Sequence, residues 1–305
     1  MPRDLDVVVV CEINVDIVAT GLTGPPKFAA EQLLDDVTLT AGSSGVLTSS
    51  GLATLGLRVG ICGLLGDDPF GRYVLDHLDR HEIDRSGIAV RSSERTGASI
   101  LLSTPQDRAI LTFPGAMIRF RLDDVRFDLI ARARHLHLSS YFLQAGLRPD
   151  VPNLLAQAHG LGLSTSVDPG HDPKETWDVD DLLEGLDVFL ANKVEACAIA
   201  GVTDAAAALE WLAVRVPTAV VKCGAEGAMA ARGAERVLAP SFTVEVLDTT
   251  GAGDAFDAGF LAGILGNENL RACVRRGNAC GALAAAHIGG AGGIDPARVA
   301  AMMRS

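Results

Sequence analysis

Gly251-Ala252-Gly253-Asp254 concentrates more chemistry than any other stretch of this chain. Two glycines and an alanine leave the backbone bare, so its amides are able to approach a ligand closely. A helix-forming run follows from Asp254 to Leu265, and the free N–H groups and dipole at a helix start attract an anion. A carboxylate at that place faces whatever the amides bind. The pairing suits transfer of a phosphoryl group to an alcohol: the carboxylate takes the hydroxyl proton as general base, and the amides hold the charge that develops on the transferred group. The same residues are compatible with a plainer reading, in which Asp254 only caps a helix after a glycine turn. No glycine lies three positions after Gly253, so the dinucleotide-binding pattern Gly-x-Gly-x-x-Gly does not apply.

The elements that must position these residues are legible in the hydrophobic pattern. Leu5–Cys11 is a continuous apolar run with four valines, which predicts a strand buried on both faces, as in a parallel sheet. Arg58–Leu64 predicts a second strand. Pro69–His81 carries an i, i+3/i+4 stripe from Phe70 to Leu78 and predicts a helix. From Leu136 onward, strands at Leu136–Leu138, Leu163–Val167, Val188–Ala191 and Ala219–Lys222 alternate with helical segments such as Pro149–His159, Lys193–Ala200 and Asp204–Val214. Such alternation implies a parallel sheet with right-handed crossovers. The last third reads as helices at Asp254–Leu265, Leu270–His287 and Pro296–Met303. Ile17–Ala19, Val37–Thr40, Ala98–Ser103 and Arg108–Phe113 are short alternating strands of another character, expected to pair as one small sheet outside the main body.

Composition narrows the function. The chain has 305 residues, 26 Lys and Arg against 38 Asp and Glu, and a net charge of −12. A field of that sign repels nucleic-acid backbones and anionic membranes, so neither is an expected partner. The six cysteines show no Cys-x-x-Cys spacing and are expected to be buried thiols in a reducing compartment. No signal segment is read at the N-terminus and no apolar run reaches about 20 residues, so the expected location is the cytoplasm. His135-Leu136-His137 places two imidazoles on one strand face without an evident third metal ligand. Trp177 and Trp211 read as packing residues.

The longer run Asp248-Thr249-Thr250-Gly251-Ala252-Gly253-Asp254-Ala255-Phe256-Asp257-Ala258-Gly259-Phe260 resembles the C-terminal signature of the ribokinase-like (PfkB) carbohydrate kinases. The resemblance covers nearly the whole chain. Ala41-Gly42-Ser43-Ser44-Gly45 leading to Ala53-Thr54-Leu55-Gly56 is similar to the family's N-terminal glycine signature, and Leu65-Gly66-Asp67-Asp68-Pro69-Phe70-Gly71 to the segment after it. Asn192-Lys193-Val194-Glu195 is similar to its Asn-x-x-Glu motif. The resemblance implies a three-layer α/β/α fold with a mostly parallel central sheet, as one domain over 1–305, and a small β-sheet lid from about 14–40 and 96–118. It implies an ATP-dependent kinase acting on a hydroxymethyl group of a small sugar or sugar-like alcohol, with Asp254 as base and Gly251, Ala252 and Gly253 as anion hole. The alternatives are a nucleoside kinase of the same fold and a non-catalytic sugar- or nucleotide-binding relative. A phosphosugar kinase is less favoured, since Ser43 and Ser44 offer no basic residue.

Site residues follow from the same resemblance. Asn192, Lys222, Gly224, Gly227 and Asn278 fall in nucleotide-binding segments, with Glu195 expected to hold Mg²⁺ through water. Lys193 and Lys222, two of only four lysines, are read as the local positive charge that an acidic protein needs for phosphate. Asp248 and Thr250, with the loop 289–293, are the expected place for a monovalent cation, K⁺. Asn14, Asp16, Gly42, Leu47 and Arg108 line the acceptor side, Asp16 taking two adjacent hydroxyls. The sequence departs from the pattern at Ser43, which replaces a glycine, at Leu47, where most members carry Asn, and at Asp168-Pro169-Gly170-His171-Asp172, which lacks the Asn and Arg of many relatives. The acceptor therefore does not identify itself. A homodimer through the lid strands is a further expectation.

Overall fold

A computed structural model describes residues 3–104, 108–287 and 293–304, and of Arg108 only the backbone. Its centre is β1 (Val7–Val10), whose four valines are fully buried. β-branched residues favour the extended chain, and burial of both faces requires a layer of helices on each side. Val8 and Val10 point into one apolar cluster, Val7 and Val9 into the other.

Around β1 the chain builds a nine-stranded sheet in the order β13-β12-β11-β10-β9-β8-β1-β4-β5. Its members are β4 (Val59–Gly66), β5 (Asp84–Arg91), β8 (His135–Ser139), β9 (Ser164–Asp168), β10 (Val188–Asn192), β11 (Thr218–Lys222), β12 (Ala228–Arg232) and β13 (Glu235–Ala239). All pairings are parallel except β11–β12 and β12–β13. On one face lie α1 (Ser44–Thr54), α2 (Pro69–Arg80), α8 (Ala252–Leu265) and α9 (Leu270–Ala285). On the other lie α3 (Phe127–Ile130), α4 (Val151–Gly160), α5 (Asp180–Leu183), α6 (Lys193–Ala200) and α7 (Ala205–Ala213). α10 (Pro296–Arg304) packs through Val299 on a small cluster with α8 and α9. The expected three layers and mostly parallel sheet are therefore present.

The expected small sheet is present too, with β2 (Asn14–Thr20), β3 (Asp36–Ala41), β6 (Gly97–Ser103) and β7 (Arg108–Phe113) in the order β3-β2-β6-β7. Only Cys11, Glu12 and Ile13 separate β1 from β2. The chain thus passes from the core sheet straight into the small one, and the residues at that junction sit over the C-terminal edge of the large sheet.

Three strands of the sheet escaped the sequence pattern: β5, β12 and the edge strand β13, which pairs with β12. β5 (DRSGIAVR) is polar over its first half, and β12 (AMAAR) is built of alanines with little strand preference. Both are strands because a neighbouring edge is there to pair with, β4 for one and β11 for the other.

Among the described residues no single helix is long and apolar enough to cross a membrane. Close contact between α1 and α8 brings the two helix starts of the glycine signatures together. It depends on Gly51, where an added Cβ would lie 2.8 Å from the Cβ of Ala258. Gly51→Val is expected to overpack this contact and cost about 1–3 kcal/mol, read as a lower urea midpoint with an unchanged m-value.

Candidate active site

The residues expected on the acceptor side gather where β2 leaves the core. Asn14 Nδ2 donates to Asp16 Oδ1 at 3.0 Å, to Ser99 Oγ at 3.0 Å and to Val15 O at 3.1 Å. Burial pushes the Asp16 carboxyl up to about 6, against the donation from Asn14. Gly42 lies directly behind this pair: an added Cβ would come within 2.3 Å of Asp16 Oδ1 and 2.9 Å of Asn14 Nδ2. Only glycine lets the backbone approach so closely. Asn14, Asp16 and Gly42, predicted as one group, are thus brought together. Leu47 is buried on α1, one turn beyond Ser44. The side chain of Arg108 is outside the described residues.

Opposite them stands the start of α8. The helix begins at Ala252, two residues earlier than its pattern suggests, with Gly251 as N-cap at φ 72°. Asp254 is therefore the third residue of the helix and not its cap, which removes the plainer reading of the motif. Its carboxyl is pushed up to about 7, first by burial and then by the Asp168 and Asp16 carboxylates, while Lys222 and a hydrogen bond with Ser44 act the other way. Of the expected anion-hole amides, Ala252 N–H is taken by Thr249 O at 3.2 Å. Gly251 and Gly253 N–H meet no acceptor among the described residues.

Lys222 departs from its expected role. Its ammonium is buried and donates to Asp168 Oδ2 at 2.7 Å and to both carboxylate oxygens of Asp257 at 3.0 and 3.1 Å. Burial opposes every charge here, but the ammonium holds Asp168 down, at about 2. Asp257, buried and hydrogen-bonded to Asp168, is raised well above its ordinary value. The ammonium thus favours the ionised form of Asp168, while burial and the neighbouring Asp168 carboxylate favour the neutral form of Asp257. Lys193 is paired as well, 3.5 Å from Glu226. Neither lysine is a free positive charge. Lys222 nonetheless lies behind the start of α8, since its Nζ is 3.7 Å from where a Cβ on Gly253 would stand.

On the nucleotide side, Asn192 and Glu195 form a reciprocal cap. Asn192 Oδ1 accepts from Glu195 N–H and Glu195 Oε2 from Asn192 N–H, both at 2.9 Å. Glu195 is buried rather than solvated, and burial, with help from Asp168, pushes it up to about 7. Gly224 and Gly227, both at positive φ, shape the β11–β12 turn. Asn278 Nδ2 is spent on the chain, donating to Ala239 O at 3.0 Å and Pro240 O at 3.1 Å beside that turn. Asp248 Oδ1 accepts from Thr250 N–H at 2.8 Å, and residues 288–292 of the loop expected to complete a cation site lie outside the described residues. No group of three or more His, Cys, Asp or Glu that could hold a metal ion occurs among the described residues. His135 and His137 are instead bonded to Ser164 and Ser166.

The sequence model described as pfkB family carbohydrate kinase matches residues 4–297. The chain belongs to this family. An uncharacterized sugar kinase of Archaeoglobus fulgidus is 31% identical over 231 residues, 75% of this chain and 91% of that protein. An ATP-dependent ribose-1-phosphate kinase of Halopiger xanaduensis is 29% identical, covering 87% of this chain and 86% of its own. The crystal structure of adenosine kinase from Sinorhizobium meliloti superposes with a TM-score of 0.85 at 26% identity, over 99% of both chains. As a PfkB kinase the protein is a phosphotransferase with an alcohol group as acceptor, using ATP with Mg²⁺ as the usual partner ion.

Four residues of this kinase site were not singled out in the sequence: Glu12, Ser44, Asp168 as a charged group, and Asp257. Asp257 had a signal, since it stands one turn after Asp254. Glu12 had a weaker one, an acid directly after an all-apolar strand. Its carboxyl, pushed up to about 8 by burial, accepts from Ser44 N–H at 3.1 Å through Oε1. Removing the shared cation should be costly: Lys222→Met leaves a buried carboxylate unpaired and is expected to lower stability by about 3–5 kcal/mol, with Lys222→Arg losing less, both measured by urea unfolding.

Proposed function

We propose that this kinase moves the terminal phosphoryl group of ATP to a hydroxymethyl group of a small sugar or sugar-like alcohol. Asp254 is the general base, and the N–H groups of Gly251 and Gly253, with Lys222 behind them, form the anion hole. The observation that carries this reading is the placement of Asp254. It stands third in α8, raised by burial to about 7, with unspent glycine amides on one side and the Asn14–Asp16–Gly42 group on the other. A base poised near the working pH takes a proton efficiently.

Each remaining group has a place in that transfer. Asp16 accepts hydrogen bonds from acceptor hydroxyls and orients the one that reacts. Mg²⁺, when bound with ATP, neutralises charge on the phosphates, with Glu195 behind it. Asp248 and Thr250 are the residues here for a monovalent cation. The β11–β12 turn with Gly224 and Gly227, and the start of α6 at Asn192, flank the nucleotide. We take the chain as one α/β unit, and its small sheet, about 14–40 and 96–118, as a lid. Closure over the acceptor excludes water, so that transfer outruns hydrolysis.

The second reading, a nucleoside as acceptor, is favoured by buried Leu47, which offers no hydrogen bond, and by likeness to an adenosine kinase. A binding-only role is disfavoured by the intact base and bare amides.

The lid's outer face also bears on assembly. Val37, Ile100, Leu111 and Phe113 are exposed on one face, an apolar surface that a second copy would cover. Sedimentation velocity is expected to show a dimer, and Leu111→Asp to shift it toward monomer; a wild-type monomer at micromolar concentration ends that expectation.

The enzymatic reading is tested by ADP formation with MgATP over a panel of sugars, polyols and nucleosides. Asp254→Asn should lower turnover at least about a hundredfold with the fold intact by circular dichroism. Because the base must be ionised, kcat/KM should rise with pH up to about 7 and fall about tenfold per unit below it. Absence of ADP with every acceptor would sink the reading.

A further inference from the structure

We infer that Glu12 is a positioning residue for Asp254: acting through Ser44, at the first turn of α1, it holds the Asp254 carboxyl in the orientation that takes the acceptor's proton. The inference rests on the kinase reading above and adds a residue to that reaction.

Glu12 lies in the three-residue junction between β1 and β2 and is buried. Its Oε1 accepts from Ser44 N–H at 3.1 Å, with the Ser140 side chain close by, and its Oε2 is buried without a partner among the described residues. A half-satisfied carboxyl in a dry place costs stability, so the fold alone gives no reason for it.

The chain around Ser44 keeps that contact fixed. Ser43, which stands where the family pattern has glycine, sits at φ 77°, a value that a non-glycine residue rarely adopts. Its hydroxyl donates to Glu12 O at 2.5 Å and accepts from Val46 N–H at 3.2 Å. Strain of this kind persists where surrounding bonds over-determine it, and it collects at working sites. Gly45 closes the other side, since an added Cβ would come within 2.1 Å of the Cβ of Cys11. The start of α1 is thus clamped onto Cys11 and Glu12.

From there the same turn reaches α8. Ser44 carries Glu12 on its backbone N–H and Asp254 on its side chain, so one residue joins both carboxyls. Thr48, one turn further along α1, donates to Asp254 O at 3.4 Å and ties the backbone of the base to the same helix. The Ser44 hydrogen bond favours the ionised Asp254 carboxyl. The other groups that act on this carboxyl by their charge are Asp168 of β9, Lys222 of β11, Asp16 of β2, Glu195 of α6 and Glu12 itself. A base that must point at one hydroxyl gains from a fixed orientation, since a small misplacement costs much of the rate. Glu12 therefore has two opposed actions on Asp254. As a charge it pushes the Asp254 carboxyl up, and as the anchor of Ser44 it brings that carboxyl down. Positioning requires that the anchor outweigh the charge.

Three variants separate the two actions. Glu12→Met keeps the volume and removes the acceptor oxygen. Glu12→Gln keeps an acceptor oxygen without a charge. Ser44→Ala removes the hydroxyl that meets Asp254. The Asp254 carboxyl is titrated by carbon-13 NMR of protein labelled at aspartate, its resonance being the one lost in Asp254→Asn. Its midpoint is expected to rise by at least about half a pH unit in Ser44→Ala and in Glu12→Met, and not to rise in Glu12→Gln. The Glu12→Met/Ser44→Ala double variant should rise no further than either single one, because both break the same link. With MgATP and an acceptor that the wild type uses, kcat should fall at least about tenfold in Glu12→Met, with the KM for ATP changed less than about twofold. Glu12→Gln should stand at least about threefold above Glu12→Met in kcat. If Glu12→Met does not fold by circular dichroism, Glu12→Asp, whose oxygen is drawn back by one methylene, must show the same rise. A midpoint that falls or stays in Glu12→Met or Ser44→Ala, an unchanged kcat, effects that add in the double variant, or a Glu12→Gln that behaves as Glu12→Met overturns the inference and leaves the kinase reading standing. A wild type that forms no ADP with any acceptor fails the kinase reading, and the titration still decides whether Glu12 positions Asp254.

Discussion

The ammonium of Lys222, buried between Asp168 and Asp257, is the contact on which the site depends. It joins the last residue of β11, the last residue of β9 and the second turn of α8. An ammonium without a carboxylate, or two carboxylates without an ammonium, is strongly unfavourable in so dry a place. The three elements are therefore held in one arrangement. Since Asp257 is one helical turn beyond Asp254, fixing it also fixes the Asp254 carboxyl and the amides of Gly251 and Gly253 at the start of α8. The same cation opposes the rise in the Asp254 carboxyl that burial and neighbouring carboxylates produce.

Charge is handled here by position rather than by sum. The protein carries −12 overall, and Asp16, Glu12, Asp168, Glu195, Asp254 and Asp257 crowd the C-terminal edge of its sheet. Burial pushes most of these carboxyls up toward their neutral form, while the Lys222 ammonium holds Asp168 down. The global field still disfavours nucleic acid and anionic membranes, because those present extended charge that no local cradle matches.

Fold and site were legible to different degrees. The all-valine strand, the stripe of the second helix and the strand–helix alternation are local patterns, and each became the element expected. β5 and β12 were missed because their sequences are polar or alanine-rich and take strand form from the edge they pair with. Gly251–Asp254 was legible because its parts are contiguous and the chemistry lies in their order. Lys222, expected near the ATP phosphates, is bonded to Asp168 and Asp257, a pairing that its place at a strand end does not reveal.

The sequence by itself determined the layered α/β architecture, the membership of the PfkB family and the residue types at the reacting end. These rest on periodicity and on a continuous run, and both survive without three-dimensional information. Only the tertiary structure decided that Lys222 is paired with two carboxyls, that Glu12 bonds Ser44 near Asp254, and that Asn278 is spent on the chain. Lys222 is 54 residues from Asp168 and 35 from Asp257. Pairing of buried charges depends on distance in space, and a chain read in order carries no mark of it.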